Sequence, residues 1–208
     1  MMIQGDQKGR TMIYKCTIET PLGPMTAAAE DEVLVGLWFD GQKYFPAGSD
    51  GWSEAPDLPV FAALRKQLQD YFAGTPSPIL THLRPKATAG KLLSLPLKGS
   101  EGQGDGSGVE LSLAPKGTEF QKAVWEALSR IPFGKTVTYG DIAREIAATR
   151  GLTSMSAQAV GSAVGHNPIS ILIPCHRVVG CNGKLTGYAG GLDRKEALLR
   201  LEASTLPD

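Results

Sequence analysis

The chain of 208 residues is long enough for one large domain or two small ones, each with a hydrophobic core of its own. No segment approaches the roughly 18 apolar residues of a membrane helix, and the N-terminus has no apolar signal segment, so we expect a cytoplasmic protein without a membrane partner. The charges sum to zero, but residues 1–114 carry a net charge of −3 and residues 115–208 a net charge of +3. The C-terminal half is therefore the part suited to a polyanion.

Three cysteines, Cys16, Cys175 and Cys181, form no CxxC pair, which argues against a disulfide framework and against a zinc ribbon. We therefore expect reduced thiols, no bound metal and no cofactor. A free cysteine is usually a small core residue, so reactivity has to be argued from the residues around it.

The N-terminal part predicts a small domain over residues 12–80, preceded by a disordered leader at residues 1–11. Strand-like runs at residues 14–19, 25–30 and 33–39 are separated by turn signals and indicate an antiparallel meander, with Cys16 packed in the first strand. Apolar residues at helical spacing over residues 57–73, with Asp57 at the start and Gly74 past the end, predict one helix against the meander.

A second domain is predicted over residues 115–203, followed by a tail at residues 204–208. Residues 81–114 are predicted to be a flexible insertion, because the proline and glycine there, above all at residues 99–108, cannot bury enough surface to order the chain. Thr118 and Gln121 fit a capping box at the start of the first helix. A brief strand at residues 136–138 leads to a helix near Tyr139, and a second helix follows at residues 156–165. Two short helices joined by a tight turn are typical of a helix-turn-helix.

The second helix of this pair has almost no side-chain bulk, because it consists mainly of Ala157, Ala159, Gly161, Ser162, Ala163 and Gly165. Glycine inside a helix costs about 1 kcal/mol, so we expect a compensating interaction. Two explanations stay open: tight packing against another helix, or close approach to a narrow surface such as a DNA minor groove. A helix that reads the major groove would instead carry long Arg, Asn or Gln side chains.

The residues around Cys175 give the strongest chemical signal. The apolar residues 171–173 predict a short buried strand that Pro174 ends, so that the thiol lies at a strand end. His176 and Arg177 are both candidates to stabilise a thiolate, but neighbours in an extended chain point to opposite faces, so we expect His176 to act through a water. Glu202, near the end of the last predicted helix, is either solvated or orients an imidazole. An unreactive, buried Cys175 is the alternative.

Five motifs follow one another along residues 115–203: GTEFQ at 117–121, VTY at 137–139, HNP at 166–168, IPCHRVV at 173–179 and GYAGG at 187–191. In these motifs the chain resembles the O6-alkylguanine-DNA alkyltransferases, and residues 14–74 resemble the smaller RNase-H-like domain of that family. The resemblance implies an α/β (α+β) fold, in which the RNase-H-like meander and helix precede a mainly helical domain with a winged-helix-like helix-turn-helix. It implies DNA repair by irreversible, single transfer of an alkyl group from O6 of guanine to the protein's own cysteine, and leaves open whether O4 of thymine is also accepted.

By resemblance, Cys175 accepts the alkyl group and His176 is the base that acts through a bound water, while Glu202 orients His176. Asn167 braces the reactive segment, and Tyr139 hydrogen-bonds the flipped guanine and helps to protonate it. The residues implied around the guanine, besides Tyr139 and the Cys175 backbone, are Val178, Tyr188 and Ala189. The implied DNA-binding residues are Ala157, Gln158, Gly161, Ser162 and Arg177. The implied partner is double-stranded DNA with a base flipped through the minor groove, bound by a monomer.

The chain departs from the family pattern at Gln158, where many members have an arginine that holds the gap left by the flipped base. The insertion at residues 81–114 is longer than the usual linker, and the N-terminal half offers only Cys16 and His82 toward the zinc set of some members. A non-reactive alkyltransferase-like lesion-binding protein is one alternative, although such proteins lack the cysteine found at Cys175. A Cys-His hydrolase that turns over is another, against which the helix-turn-helix pattern counts.

Overall fold

The computed structural model describes residues 12–74, 84–86, 92–95 and 111–204. The predicted leader at residues 1–11, the glycine-rich tract at residues 99–108 and residues 205–208 lie outside the described residues. Within the described ranges, none of the helices has the length and apolar character needed to cross a membrane.

The N-terminal part is built on the predicted antiparallel meander of β1 (Tyr14–Ile18), β2 (Met25–Glu30) and β3 (Val33–Phe39). Strand β1 ends one residue earlier than expected, and Cys16 lies in it, buried opposite Ala27. A two-residue strand β4 (Ser53–Glu54) adds to the outer edge of β1 in parallel. Strand-like runs separated by turn signals therefore predicted these three strands and their antiparallel order.

Three further strands lie within residues 81–114, the range predicted to be a flexible insertion: β5 (Arg84–Lys86), β6 (Leu92–Leu95) and β7 (Leu111–Leu113). They extend the sheet to seven strands in the order β4-β1-β2-β3-β7-β6-β5, and β7 pairs with β3 in parallel. Leu111 and Leu113 are fully buried, so this part of the range is tied to the core by apolar burial. The predicted domain limits themselves stay a prediction.

Helix α1 (Pro59–Phe72) covers one face of the sheet with Phe61, Leu64 and Leu68. It begins at Pro59, whose missing N–H is no loss in the first turn of a helix. Asp57 provides no cap, contrary to the prediction, whereas Gly74 lies past the end with a left-handed φ of 70° as expected.

The C-terminal part is mainly helical and contains α2 (Glu119–Leu128), α3 (Tyr139–Thr149), α4 (Ala157–Gly165) and α5 (Leu192–Ser204). The predicted capping box at the start of α2 is present, with Gln121 N donating to Thr118 Oγ1 (3.2 Å) and Thr118 N donating to Gln121 Oε1 (2.9 Å). Helices α3 and α4 form the predicted pair, and Trp125 Nε1 of α2 donates to Ala163 O of α4 (2.8 Å). Short strands β8 (Val137–Thr138) and β9 (Val178–Val179) pair in parallel beside them.

The sheet and the helices share one hydrophobic core, and β3 holds the chain segment that precedes Cys175. Leu37 N donates to Pro168 O (2.8 Å) and Ser170 N donates to Leu37 O (2.8 Å). The side chain of Ser170 also donates to Gln42 Oε1 (2.9 Å). The N-terminal sheet therefore fixes the position of the segment that presents the thiol.

Candidate active site

Cys175 lies on a tight turn of residues 170–177, which we call the reactive turn. Ile171 has a left-handed φ of 68°, Cys175 N donates to Ile173 O (2.8 Å), and Cys175–Arg177 form one turn of 3-10 helix. The predicted strand at residues 171–173 is therefore wrong, although its side chains are buried as expected. Leu172 N donates to Ser170 O (2.8 Å), Ile173 N donates to Ile169 O (3.1 Å) and Ile173 O accepts from Asn167 Nδ2, so these groups are satisfied without a strand ladder.

Asn167 holds the reactive turn together with its side-chain amide. Its Nδ2 lies 2.8 Å from Ile173 O, and its Oδ1 accepts a hydrogen bond from Ile169 N (3.0 Å). The same Nδ2 lies 3.0 Å from Cys175 Sγ. A donor at this distance favours the anionic form of the sulfur over the thiol, so Asn167 can brace the turn and stabilise a thiolate at once.

His176 and Glu202 form a fully buried pair, with His176 Nε2 2.7 Å from Glu202 Oε1. Because a carboxylate only accepts, the proton of a neutral imidazole lies on Nε2 and Nδ1 is the acceptor. This Nδ1 is buried and makes no hydrogen bond with an atom of the described residues. Burial lowers the pKa of His176 below its ordinary value, and Glu202 opposes this only in part. The imidazole is therefore neutral near pH 7 and can accept a proton.

Glu202 is the centre of a buried hydrogen-bond cluster rather than a solvated residue. Its Oε2 accepts from Arg177 Nε (2.8 Å) and Gly134 N (3.0 Å), while its Oε1 accepts from Arg177 Nη2 and Tyr71 Oη (2.9 Å each). Burial would raise the pKa of Glu202, but the hydrogen bonds and charges of His176 and Arg177 outweigh it and lower that pKa to about 2. Glu202 therefore stays ionised beside His176.

The predicted DNA-binding role of Arg177 is wrong. Its side chain is fully buried, its Nη1 donates to Ile131 O (2.7 Å), and its guanidinium lies 5.5 Å from the ring centroid of Phe133. A guanidinium is buried only when it is paired, and Glu202 supplies the carboxylate. Arg177 therefore ties the reactive turn to α5 and to the segment after α2, and it is out of reach of a DNA phosphate.

The thiol of Cys175 is only 4% exposed, and burial raises its pKa above the ordinary value. The hydrogen bond from Asn167, the charge of Lys195 and the nearby backbone N–H groups act in the opposite direction but do not reverse this shift. The expected lowering of the thiol pKa toward neutrality is therefore not found in the resting site. The thiol is therefore protonated and the imidazole of the next residue is neutral, so the thiolate has to form during the reaction. Of the other two cysteines, Cys16 is buried with its pKa raised to about 11 by burial, and Cys181 is exposed.

Lys195 is a buried cation of the site that no sequence motif indicated. Its Nζ donates to Val178 O (2.6 Å), Thr186 O (2.8 Å) and Gly187 O (3.3 Å). Burial lowers the pKa of Lys195 to about 8, and the charge of a Cys175 thiolate raises it. A signal was present in the spacing, since Lys195 lies three residues before the buried Leu198 and seven before Glu202, on one face of α5.

Tyr139 begins α3 and reaches the loop that follows the reactive turn. Its hydroxyl lies 3.2 Å from Thr186 O and 3.3 Å from Gly187 O, the carbonyls that Lys195 also binds. Burial raises the pKa of Tyr139, so its hydroxyl stays protonated and can donate. A thiolate at Cys175 would raise the pKa of both Tyr139 and Tyr188 further.

The other residues predicted around the guanine lie on the same loop and on β9. Val178 is fully buried, and its carbonyl accepts from Lys195. The ring of Tyr188 packs so closely over Gly190 that a Cβ at Gly190 would approach it to 2.8 Å. The carbonyl of Ala189 accepts from Lys43 N (3.0 Å), so the loop is fastened to the N-terminal part.

Helix α4 exposes most of its small residues on one side, the surface that we call its outer face. Ala157, Gln158, Ala159 and Ser162 are exposed and Gly161 is half-buried, whereas Val160, Ala163 and Val164 are buried. A Cβ at Gly161 would meet only the ring of Tyr139, at an ordinary contact distance of 3.7 Å. Packing therefore does not require a glycine there, which favours close approach to another surface over tight helix packing. An open groove of about 390 Å³ between α3 and the start of α4 continues this face.

Comparison with known proteins covers almost the whole chain. Residues 119–204 match the family model "6-O-methylguanine DNA methyltransferase, DNA binding domain", and residues 13–85 match "6-O-methylguanine DNA methyltransferase, ribonuclease-like domain". The chain is 42% identical to a methylated-DNA–protein-cysteine methyltransferase of Mycolicibacterium paratuberculosis, over 94% of this chain and 96% of that protein. It is 41% identical to a protein of the same name from Methanosarcina acetivorans, over 92% of this chain and 99% of that protein.

A solved structure gives the same result for the fold. The crystal structure of Mycobacterium tuberculosis OGT in complex with DNA has a TM-score of 0.68 and 38% sequence identity, and the match covers 93% of this chain and 95% of that one. The fold described above therefore has a counterpart in a protein that was crystallised with DNA.

Proposed function

Because the chain belongs to the 6-O-methylguanine DNA methyltransferase family, we propose that its repair of DNA by direct reversal uses Cys175 as the alkyl acceptor. The observation that carries this assignment is the buried Cys175 thiol, held 3.0 Å from Asn167 Nδ2 and followed directly by a histidine paired with a carboxylate. We call Cys175, His176 and Glu202 the relay. An alkyltransferase-like protein without a reactive cysteine is not favoured, because this thiol is present.

The reaction begins with the thiol proton. A water between Cys175 Sγ and His176 Nδ1 carries this proton to the imidazole, and the resulting imidazolium is stabilised by the ionised Glu202. The thiolate that forms is stabilised by Asn167 Nδ2 and by the charge of Lys195. Because burial favours the neutral thiol and the neutral imidazole, thiolate and imidazolium form only when substrate is bound.

The sulfur then attacks the alkyl carbon, a C–S bond forms, and the bond between that carbon and O6 breaks. The bonding electrons leave with the guanine. The guanine ring then takes a proton from the hydroxyl of Tyr139, and the proton on His176 reaches Tyr139 through solvent and restores its hydroxyl. The overall products are S-alkylcysteine and guanine. A thioether has no bond that water cleaves easily, so each molecule acts once.

The substrate is double-stranded DNA with an O6-alkylguanine that is rotated out of the helix through the minor groove, at a cost of a few kcal/mol. The reactive turn, Tyr139, Val178, Tyr188 and Ala189 surround the flipped base. Ala157, Gly161 and Ser162 let the outer face of α4 approach the groove, and Gln158 is the long side chain that can fill the gap. We propose that the protein works as a monomer, in the cytoplasm, where free cysteines stay reduced.

Titration of the protein with a duplex that contains one O6-methylguanine tests this function. Repair should stop at one methyl group per protein molecule, and Cys175→Ser should bind the duplex with unchanged affinity but repair none of it. Repair that continues beyond one equivalent would contradict the proposal, as would full repair by the serine variant.

A further inference from the structure

Tyr71 is a buried tyrosine of α1 whose hydroxyl reaches the relay from the N-terminal part of the chain. Its side chain is 2% exposed, and its Oη lies 2.9 Å from Glu202 Oε1. The same oxygen of Glu202 lies 2.7 Å from His176 Nε2. One carboxylate oxygen is therefore shared by a hydroxyl from α1 and by the imidazole of the relay.

Packing alone does not account for a tyrosine at this position. The ring of Tyr71 contacts Phe72 and Phe133 edge to face, with centroids 5.2 Å and 6.1 Å away, and a phenylalanine would keep these contacts. A buried hydroxyl loses its hydration and recovers that free energy only through a hydrogen bond. Burial and the charge of Glu202 raise the pKa of Tyr71, so the hydroxyl remains a donor throughout the pH range of a folded protein.

Resting on the function proposed above, we propose that Tyr71 is a positioning residue of the relay: its hydroxyl fixes the orientation of the Glu202 carboxylate and so that of the His176 imidazole. Arg177 holds Glu202 from the side of the reactive turn, and Tyr71 holds it from α1. The two parts of the chain therefore build the proton relay jointly, although the alkyl acceptor and the base both lie in the C-terminal part.

The hydroxyl also changes the charge that the imidazole experiences. The groups that face His176 are the carboxylate of Glu202, the guanidinium of Arg177 and the ammonium of Lys195. Around Tyr71 they are Glu202, Arg177 and the phenol of Tyr188. Without the hydroxyl, Glu202 Oε1 keeps more of its negative charge and holds a proton on His176 more strongly. The pKa of His176 then rises, and the acid limb of the rate profile moves to higher pH.

The test compares Tyr71→Phe with wild type and with Tyr14→Phe, a control whose exposed hydroxyl donates to Met12 Sδ (3.7 Å). The rate of alkylation by free O6-benzylguanine is measured across acidic and neutral pH, because this small substrate needs no DNA contact. We expect Tyr71→Phe to react about tenfold more slowly, as is typical when a partner that orients a functional imidazole is lost. Its acid limb should move to higher pH, its DNA affinity should not change, and Tyr14→Phe should behave as wild type.

Two results would overturn this role. An unchanged rate and acid limb would mean that the hydroxyl does not act on the relay. Equal slowing at every pH, together with a lower melting temperature and an unmoved acid limb, would mean that it only stabilises the fold.

A second measurement detects the effect of the Tyr71 hydroxyl on His176 without any alkylation. His176 is one of three histidines, so its Nε2 proton can be assigned in protein with ¹⁵N-labelled histidine. Tyr71→Phe should shift this proton resonance, and an unshifted resonance would overturn the proposal. If wild type fails to repair the O6-methylguanine duplex, the proposed function fails, and the imidazole resonance still decides whether Tyr71 positions His176.

Discussion

At the scale of single residues, burial shifts the two reacting groups in opposite directions, and both shifts keep them neutral. It raises the pKa of the Cys175 thiol and lowers that of the His176 imidazole. Ionised groups surround this neutral pair, with Glu202 beside the imidazole and Lys195 near the sulfur. These charges are in place before a proton moves, so they favour the thiolate and imidazolium as these form and need little rearrangement.

The alkylation rate should therefore fall in acid with a midpoint below pH 6.5, the ordinary pKa of histidine. An imidazole that is already protonated cannot accept the thiol proton, and the lowered pKa of His176 moves that loss to lower pH. The rate with O6-benzylguanine across acidic pH measures the midpoint. A midpoint above pH 6.5 would contradict the buried, neutral base.

Glu202→Gln should destabilise the protein as well as slow alkylation. The amide keeps the shape of Glu202 but leaves the buried Arg177 without a counter-charge, and breaking a buried ion pair from one side costs about 3–5 kcal/mol. Urea unfolding measures this loss of stability. Glu196→Gln, which removes an exposed carboxylate of the same helix paired with Arg200, is the control and should change neither stability nor rate. Unchanged stability of Glu202→Gln would show that Arg177 does not depend on it.

At the scale of elements, α4 places Gly161 and Ser162, which are poorer helix formers, among exposed alanines, and its outer face has room for larger side chains. The exposed residues at its start include Gln158, the one long side chain of this face. Ser156 caps the helix, with Ala159 N donating to its Oγ (3.3 Å), so the first turn is held in place despite the small residues that follow. The composition of this helix therefore suits a surface that must come close to its backbone.

Gly161→Ala should raise the free energy of unfolding by about 0.5–1 kcal/mol, because alanine is the better helix former and a Cβ fits at this position. The same change should weaken DNA binding, since the added methyl group keeps the outer face away from the groove. Ala62→Gly on the exposed side of α1 is the reverse control, which should lower stability and leave DNA binding unchanged. If Gly161→Ala is more stable and binds DNA as well as wild type, the outer face of α4 does not need a glycine in order to approach DNA closely.

Gln158→Ala should slow repair of a duplex by about tenfold, because rotating the base out costs a few kcal/mol and the side chain that fills the gap offsets part of that cost. Alkylation by free O6-benzylguanine should be unaffected, because no base has to be flipped. Gln69→Ala, an exposed glutamine of α1, is the matched control. If both reactions are slowed equally, Gln158 stabilises the pocket or the fold and does not enter the base stack.

At the scale of the whole molecule, the site depends on contacts that join distant parts of the chain. Strand β3 fixes residues 168–170, α1 contributes Tyr71 to the cluster around Glu202, and Arg194 of α5 donates to Leu22 O (3.0 Å) and Asp40 O (3.3 Å). The N-terminal sheet therefore acts as a support for the reactive turn. Loss of the sheet would be expected to disturb the alkyl acceptor although no reacting atom lies in it.

Sequence patterns predicted those strands and helices that are determined by residues close together in the sequence. Strand-like runs bounded by turn signals predicted β2 and β3 with their observed limits, and the capping box at Thr118 predicted the start of α2. The left-handed backbone of Ile171 had no local signal, because a β-branched residue avoids that conformation unless its surroundings impose it. The burial of Arg177 and Lys195 was not predicted, since the carboxylate and the carbonyls that allow it come from residues distant in sequence or from the loop before α5.

The central claim is that one alkyl group is transferred once, to Cys175. Peptide mapping by mass spectrometry after reaction with an excess of O6-methylguanine duplex tests it most directly. We expect one added methylene per protein molecule, found only on the peptide with Cys175 and absent from those with Cys16 and Cys181. A methylene on the exposed Cys181, or unmodified protein after the duplex has been repaired, would contradict the account.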